Sequence, residues 1–305
     1  MDYITQKAQE LVAGIKNEIA NQPDISVFSG DNALVELDRL NKRYGNGLTT
    51  GYDELDNMFT LLPQQLYLVS ASTHTGKTTF CLNICARIAS LGEPVLFCSL
   101  EQGVFIADRV VNMVGSFPEK LSILTSNSMV GIKELTDYIF AMAEKPKLVC
   151  IDHLHFIKKK GNKVTQDIDD MMAEIQNMSK KLEIPVIVIT HVRKLNEDKA
   201  PALDDLRDSS SLSQIPSVVL LLHRPKNEGE ALKTSILSQY GALIVAKNRI
   251  QGKTGAIKFE ILDNGIIQFF QEPNFARKVN LNENKTVENK TTSNMTFEEV
   301  KNIFD

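Results

Sequence analysis

The stretch Leu66–Phe80, LYLVSASTHTGKTTF, has the residue types and spacing to hold a phosphate chain. An apolar strand leads into Ala71, Ser72, Thr73, His74, Thr75, Gly76, Lys77, Thr78 and Thr79, and these lead into a helix. Loop N–H groups and the positive end of the helix suit phosphate oxygens. Gly76 lets the backbone approach closely. Lys77 has the length to reach β and γ oxygens, and the Thr78 hydroxyl suits Mg²⁺. Ala71 stands where such loops usually carry their first glycine, so the strand-before and helix-after context carries the reading. ATP or another nucleoside triphosphate, with Mg²⁺, is the expected cofactor pair.

That chemistry needs further groups at the ends of neighbouring strands. A metal partner should be an acid closing a buried strand, and Leu148-Val149-Cys150-Ile151-Asp152 ends in one. Hydrolysis also needs a group that orients water. Val95–Glu101, VLFCSLE, places Glu101 directly after an apolar run.

The elements that must position these residues follow from periodicity. Strands are expected at Leu66–Ser70, Val95–Ser99, Leu148–Asp152, Val186–Thr190, Val218–His223 and Ala242–Lys247. Helices are expected at Lys77–Ser90, Val104–Val114, Ile132–Ala143 and Asp167–Leu182. Continuous apolar strands alternating with helices imply an α/β fold: a mostly parallel central sheet with helices on both faces. Gly255–Glu260 and Gly265–Phe270 flank Asp263-Asn264-Gly265, a hairpin signal. Short amphipathic helices precede this body, at Met1–Gln22 and Ala33–Tyr44. The expected division is residues 1–45, a motor domain at 46–272, and a flexible tail at 273–305. In the tail, Thr296 and Glu299 form a capping box before Phe297, Val300 and Phe304.

Composition narrows the alternatives. With 43% hydrophobic and 24% charged residues among 305, the chain is no disordered protein. A net charge of −4 excludes a polycation, so nucleic-acid contact would need a local basic surface. The longest apolar runs fall far short of the ~18–20 residues of a membrane span, and the acidic, apolar-poor MDYITQKAQE is not expected to act as a secretory signal. Cys81, Cys85, Cys98 and Cys150 sit in apolar segments without a CxxC pair, as in a reducing, cytoplasmic compartment.

Several motifs together resemble the RecA-like motor domain of DnaB-family replicative helicases, a P-loop NTPase fold. They are Gly47–Asp56 (GLTTGYDELD), the phosphate loop, Ser99-Leu100-Glu101 and Ile151-Asp152-His153-Leu154. Val188–Lys194 (VITHVRK) resembles the family's sensor strand, in the histidine form found in phage primase-helicases and Twinkle. Asp205–Ser210 (DLRDSS) resembles its DNA loop, with Ser210 where glycine is common. Lys247–Gly255 (KNRIQGKTG) resembles its arginine-finger strand. The resemblance implies a ring hexamer hydrolysing ATP between subunits and moving on single-stranded DNA, 5′ to 3′. It implies His191 as the γ-phosphate sensor, and Arg249 with Lys247 as the groups supplied in trans. Lys158, Lys159, Lys160, Lys163, Arg193, Lys194, Arg207, Asp208 and Ser210 would line the DNA channel. No aromatic residues interleave these loops, so contact with the phosphate backbone is expected. Neither a primase domain nor a helical collar is expected before the motor. The Ala33–Tyr44 helix would occupy the linker-helix position, and the C-terminal tail could contact a primase, polymerase or loader. Two competing readings are a RecA- or KaiC-like ATPase that assembles without unwinding, and a non-catalytic loader or decoy.

Overall fold

The computed structural model describes residues 29–45, 47–154, 157, 164–192, 199–206, 210–228, 235–237 and 239–270. The expected helix at 1–22 and the tail at 273–305 lie outside the described residues. The chain divides into two units, residues 1–45 and 46–305. In the first, α1 (Asp31–Tyr44) is framed by Gly30 and Gly45, both at positive φ. Glu36–Arg39 and Asp38–Lys42 ion pairs brace it, while Leu34, Val35 and Leu37 are exposed.

The second unit opens on the GLTTGYDELD turn. Asp56 accepts hydrogen bonds from the Thr49 hydroxyl and from the Thr50 backbone and hydroxyl. It thereby ties this turn to α2 (Asp53–Asp56). Next come β1 (Leu66–Ala71), α3 (Lys77–Ser90), β2 (Val95–Ser99), α4 (Ile106–Val114), β3 (Leu121–Leu124), α5 (Ile132–Ala141) and β4 (Leu148–Asp152). They are followed by α6 (Val164–Leu182), β5 (Val186–His191), α7 (Ser210–Gln214), β6 (Val218–His223), β7 (Lys226–Glu228) and β8 (Ser235–Leu237). The series closes with β9 (Tyr240–Asn248), β10 (Gly255–Ile261) and β11 (Ile267–Phe270).

Nine strands form one sheet in the order β11-β10-β9-β6-β1-β5-β4-β2-β3, while β7 and β8 pair separately. From β6 to β3 every pairing is parallel; β9, β10 and β11 add an antiparallel extension. The central strands are buried along their whole length because helices cover both faces. On one face α3 and α4 bury Phe80, Ile84, Ile88, Ile106, Val110 and Met113 against Tyr67, Val69, Phe97 and Phe259. On the other, α5 and α6 pack together.

Local chemistry sets the element ends. The Val104–Val114 expectation splits, because Gly103–Phe105 forms a 3₁₀ turn before α4. Helix α5 stops at Ala141, two residues early, where Met142 turns extended and Lys145 donates to the Met142 carbonyl. Strands β1, β5 and β9 run slightly longer than expected. Asn83 pins the β10–β11 turn to α3: its amide donates to Gly265 O and accepts from Ile267 N–H and the Tyr52 hydroxyl. Among the described residues, no helix is long and apolar enough to cross a membrane.

Candidate active site

Strand β1 delivers the phosphate loop at its C-terminal end. Ala71 is the last residue of β1 and pairs in register with His191. It is absent from the residues with left-handed backbone, so the missing glycine causes no strain. Those angles fall instead on His74 (φ 64°) and Gly76 (φ 105°). A Cβ on Gly76 would stand 3.1 Å from Ile261 Cδ1, so both angle and space demand glycine there. Ser72, Thr73 and His74 are exposed, and the Thr75 hydroxyl donates to Ser72 O at 2.9 Å.

Lys77 opens α3 and folds back over the loop. Its ammonium donates to Ser72 O at 2.8 Å and Ala71 O at 3.2 Å. Burial lowers its pKa to about 8, although the charges of Asp152 and Glu101 pull upward. The Thr78 hydroxyl donates to Asp152 Oδ2 at 2.8 Å. Burial pushes the Asp152 carboxyl up, and the Thr78 hydrogen bond pulls it down. Lys77 and Asp152 attract each other, yet burial outweighs that attraction at both, and a cation-bound triphosphate would bring each a nearer opposite charge.

The donor set fits magnesium. Asp152 Oδ1 is buried without a hydrogen-bond partner, beside the Thr78 hydroxyl. One carboxylate and one hydroxyl suit a hard cation that keeps water and takes phosphate oxygens. Among the described residues there is no group of three or more His, Cys, Asp or Glu able to cage a metal. All four cysteines are free and buried.

Adjacent strand ends complete the cluster. Ser99 pairs in register with Asp152, its hydroxyl buried without a hydrogen-bond partner. Two residues on, the Glu101 side chain is 44% exposed, with a carboxylate oxygen 3.6 Å from His153 Nε2. The His153 ring meets His191 edge to face, 4.8 Å between centroids. The structure thus gathers Lys77, Thr78, Glu101, Asp152 and His191 at the C-terminal ends of β1, β2, β4 and β5.

Sequence reasoning passed over three residues here. His153 bridges Glu101 and His191, and its one local signal is its place directly after a strand-ending acid. Arg109, on α4, donates to the Thr79 hydroxyl at 2.6 Å and to Gln102 at 3.0 Å. It ties the first turn of α3 to the segment bearing Glu101, and burial lowers its pKa. Arg224, after β6, reaches the Thr75 carbonyl at 3.4 Å. No local pattern marks either arginine.

Arg249 and Lys247 lie elsewhere. Asn248 pairs with Val218, the first residue of β6, and β6 runs parallel to β1. Arg249 is therefore at the N-terminal edge of the parallel sheet, whereas the phosphate loop leaves the C-terminal edge. Along β1 the two edges are about 17 Å apart. Arg249 is exposed. Lys247 Nζ donates to Ser213 O at 2.6 Å and Gln214 O at 2.8 Å, capping α7. Burial, then Arg249, lowers its pKa to about 8. Of the expected DNA-channel residues, Lys158, Lys159, Lys160, Lys163, Arg193, Lys194, Arg207 and Asp208 lie outside the described residues. Ser210 is exposed and begins α7.

A parallel sheet with a phosphate loop after β1 and an acid ending β4 defines a P-loop NTPase of the RecA-like class. The C-terminal domain model of DnaB-like helicases matches residues 47–120 and 107–270. The chain belongs to that family. It is 28% identical over 250 residues to replicative DNA helicase DnaB of Buchnera aphidicola, covering 70% of this chain and 53% of that one. Replicative DNA helicase DnaC of Bacillus subtilis is 27% identical over 286 residues, covering 81% and 61%. The chain thus spans little more than half the length of these relatives. Among solved structures, an isolated ATPase domain superposes with a TM-score of 0.67 at 20% identity, covering 81% of this chain and 100% of that one. A DnaB-like replicative helicase, described with its interactions with primase, gives 0.64 at 21%, covering 85% and 71%. At these identities the structural likeness speaks to fold.

Proposed function

We propose that this protein is an ATP-hydrolysing DNA helicase motor, working between copies of itself arranged as a ring hexamer. What carries the reading is the division of groups across the sheet. Phosphate-holding residues occupy one edge, and exposed Arg249 stands at the opposite edge.

On this reading, Lys77 leaves the Ser72 and Ala71 carbonyls to hold the β- and γ-phosphates. The amides of residues 72–79 cradle the chain of phosphates. Thr78 and Asp152 would hold Mg²⁺, which neutralises phosphate charge when bound. Glu101, with a carboxylate open to solvent, orients the attacking water and accepts its proton. Arg249, with Lys247, supplies positive charge to a neighbouring copy's phosphate as charge develops there. His191 reads the γ-phosphate and hands the change to the segment after β5. The basic residues at 158–163, 193–194 and 207, with Asp208 and Ser210, track single-stranded DNA, 5′ to 3′ as the resemblance implies. The cytoplasm is the matching compartment, and the tail at 273–305 is the segment for a primase, polymerase or loader.

The test couples two assays on the full chain: ATP hydrolysis with and without single-stranded DNA, and strand displacement from a forked duplex. Stimulated hydrolysis with displacement is expected. Lys77→Ala abolishes both, and Arg249→Ala abolishes hydrolysis while sparing nucleotide binding. Stimulated hydrolysis without displacement would leave a DNA-associated ATPase, and neither activity would leave a binding module.

A further inference from the structure

The turn that carries Arg249 is built around the residue before it. Strand β9 alternates inward and outward from Tyr240 to Val245, a pattern that would bury residue 247. A bulge intervenes: Val219 pairs with Lys247, yet Leu220 pairs with Val245, leaving Ala246 as an extra residue. The phase shifts, so Asn248 points inward at 7% exposure and Lys247 is released to cap α7.

Every hydrogen-bonding position of the Asn248 amide is then used. Nδ2 donates to Met58 O at 2.8 Å and to Lys253 O at 3.0 Å. Oδ1 accepts from the backbone N–H groups of Ile250 and Gln251, both at 3.1 Å. Neighbouring contacts strap the same turn to the same abutment. Gln251 Nε2 donates to the Thr60 hydroxyl, and Lys253 Nζ to Asn57 O. The Arg249 N–H donates to Ser217 O at 2.8 Å. Backbone is fixed on both sides of Arg249, and its guanidinium has no hydrogen bond or ion pair among the described residues.

We propose that Asn248 is the positioning residue that presents Arg249 to the nucleotide of a neighbouring copy, with Asn57–Thr60 as the abutment. The proposal rests on the reading of Arg249 as a group supplied in trans. Asn248 touches no reacting atom and acts through the arginine. Only an amide of this length serves. Asn248→Asp would set a carboxylate against two carbonyls, and Asn248→Ala would leave two N–H donors of the turn and the Met58 and Lys253 carbonyls without this partner.

The experiment measures steady-state ATP hydrolysis and nucleotide affinity for Asn248→Ala, Asn248→Asp, Arg249→Ala and the double variant. Displacing a catalytic group by an ångström costs about 100-fold, so each Asn248 variant should lose roughly 30- to 100-fold in kcat at unchanged KM. In the double variant the Asn248 change should add nothing to the loss from Arg249→Ala. The decisive arm co-expresses an Asn248 variant with Lys77→Ala subunits. About a quarter of randomly paired interfaces then unite an intact phosphate loop with an intact arginine turn, so hydrolysis should recover towards that fraction. Asn248→Asp, close in shape, serves if the alanine variant does not fold. No recovery with Asn248 variants, where Arg249→Ala with Lys77→Ala does recover, overturns the positioning role alone. No recovery in either mixture overturns the trans reading and this inference with it.

Discussion

Lys77 allows a quantitative test of the phosphate site without any assay of turnover. In the unliganded protein its ammonium is bonded only to two carbonyls, and burial brings its pKa to about 8. A triphosphate brings several anionic oxygens to that ammonium and raises its pKa, so binding takes up a proton. At pH 7, with a pKa of about 8, roughly nine-tenths of the unliganded chains carry the proton; at pH 9 roughly one-tenth do. Affinity for a non-hydrolysable ATP analogue should therefore fall about tenfold from pH 7 to pH 9, ~1.4 kcal/mol. Fluorescence titration across that range measures the slope. Calorimetry in two buffers of different ionisation enthalpy should give about three-quarters of a proton taken up at pH 8.5. Stability moves in the opposite sense. The folded pKa lies below the unfolded one, so between pH 8 and 10.5 the unfolded chain binds more protons and the unliganded fold gains stability as pH rises. A flat affinity from pH 7 to 9, or the same slope in Lys77→Met, would refute the assignment.

Two further predictions concern the supports of the site. Asn83→Leu leaves Gly265 O, Ile267 N–H and the Tyr52 hydroxyl without their partner, at about 1–3 kcal/mol each. Urea unfolding should show a loss of roughly 3–5 kcal/mol, and a loss under 1 kcal/mol would mean that the β10–β11 turn is held otherwise. Lys247→Met removes two hydrogen bonds from the C-terminal carbonyls of α7, about 1–2 kcal/mol in all. Hydrogen exchange across Ser210–Gln214 should quicken about tenfold, and unchanged exchange would show that the cap does not stabilise that helix.

What could be read from the sequence, and what could not, follows from the range of the interactions. The α3 boundaries and the central strands were legible because a strand buried on both faces must be continuously apolar. Strand β3 was missed: only Leu121 of LSIL is buried, and an edge strand of four residues leaves no run to find. The short pair β7 and β8 gives no signal for the same reason. Phosphate chemistry imposes residue types at fixed local spacing, so Gly76, Lys77, Thr78 and the strand-ending Asp152 stood out. Arg109 and Thr79 are 30 residues apart, and Arg224 and Thr75 are 149 apart. Such contacts exist only once the sheet has formed. Lys247 shows the same: its motif marked it for the trans role, but nothing local foretold that its ammonium would bond the Ser213 and Gln214 carbonyls at the end of α7, 34 and 33 residues away.

Strand order also explains how nucleotide and DNA could communicate on the proposed reading. Strand β9 is antiparallel to β6, so it ends at the sheet edge opposite the phosphate loop. Its last two residues have different tasks there: Asn248 fixes the Arg249 turn, and Lys247 holds the end of α7. Helix α7 begins at Ser210, the last residue of the segment expected to contact DNA. A phosphate arriving from a neighbouring copy would compete with Ser213 and Gln214 for the Lys247 ammonium, and its charge would offset the burial and the Arg249 charge that lower the lysine's pKa. Losing that cap would loosen the helix that follows the DNA segment, and regaining it after phosphate release would tighten the helix again.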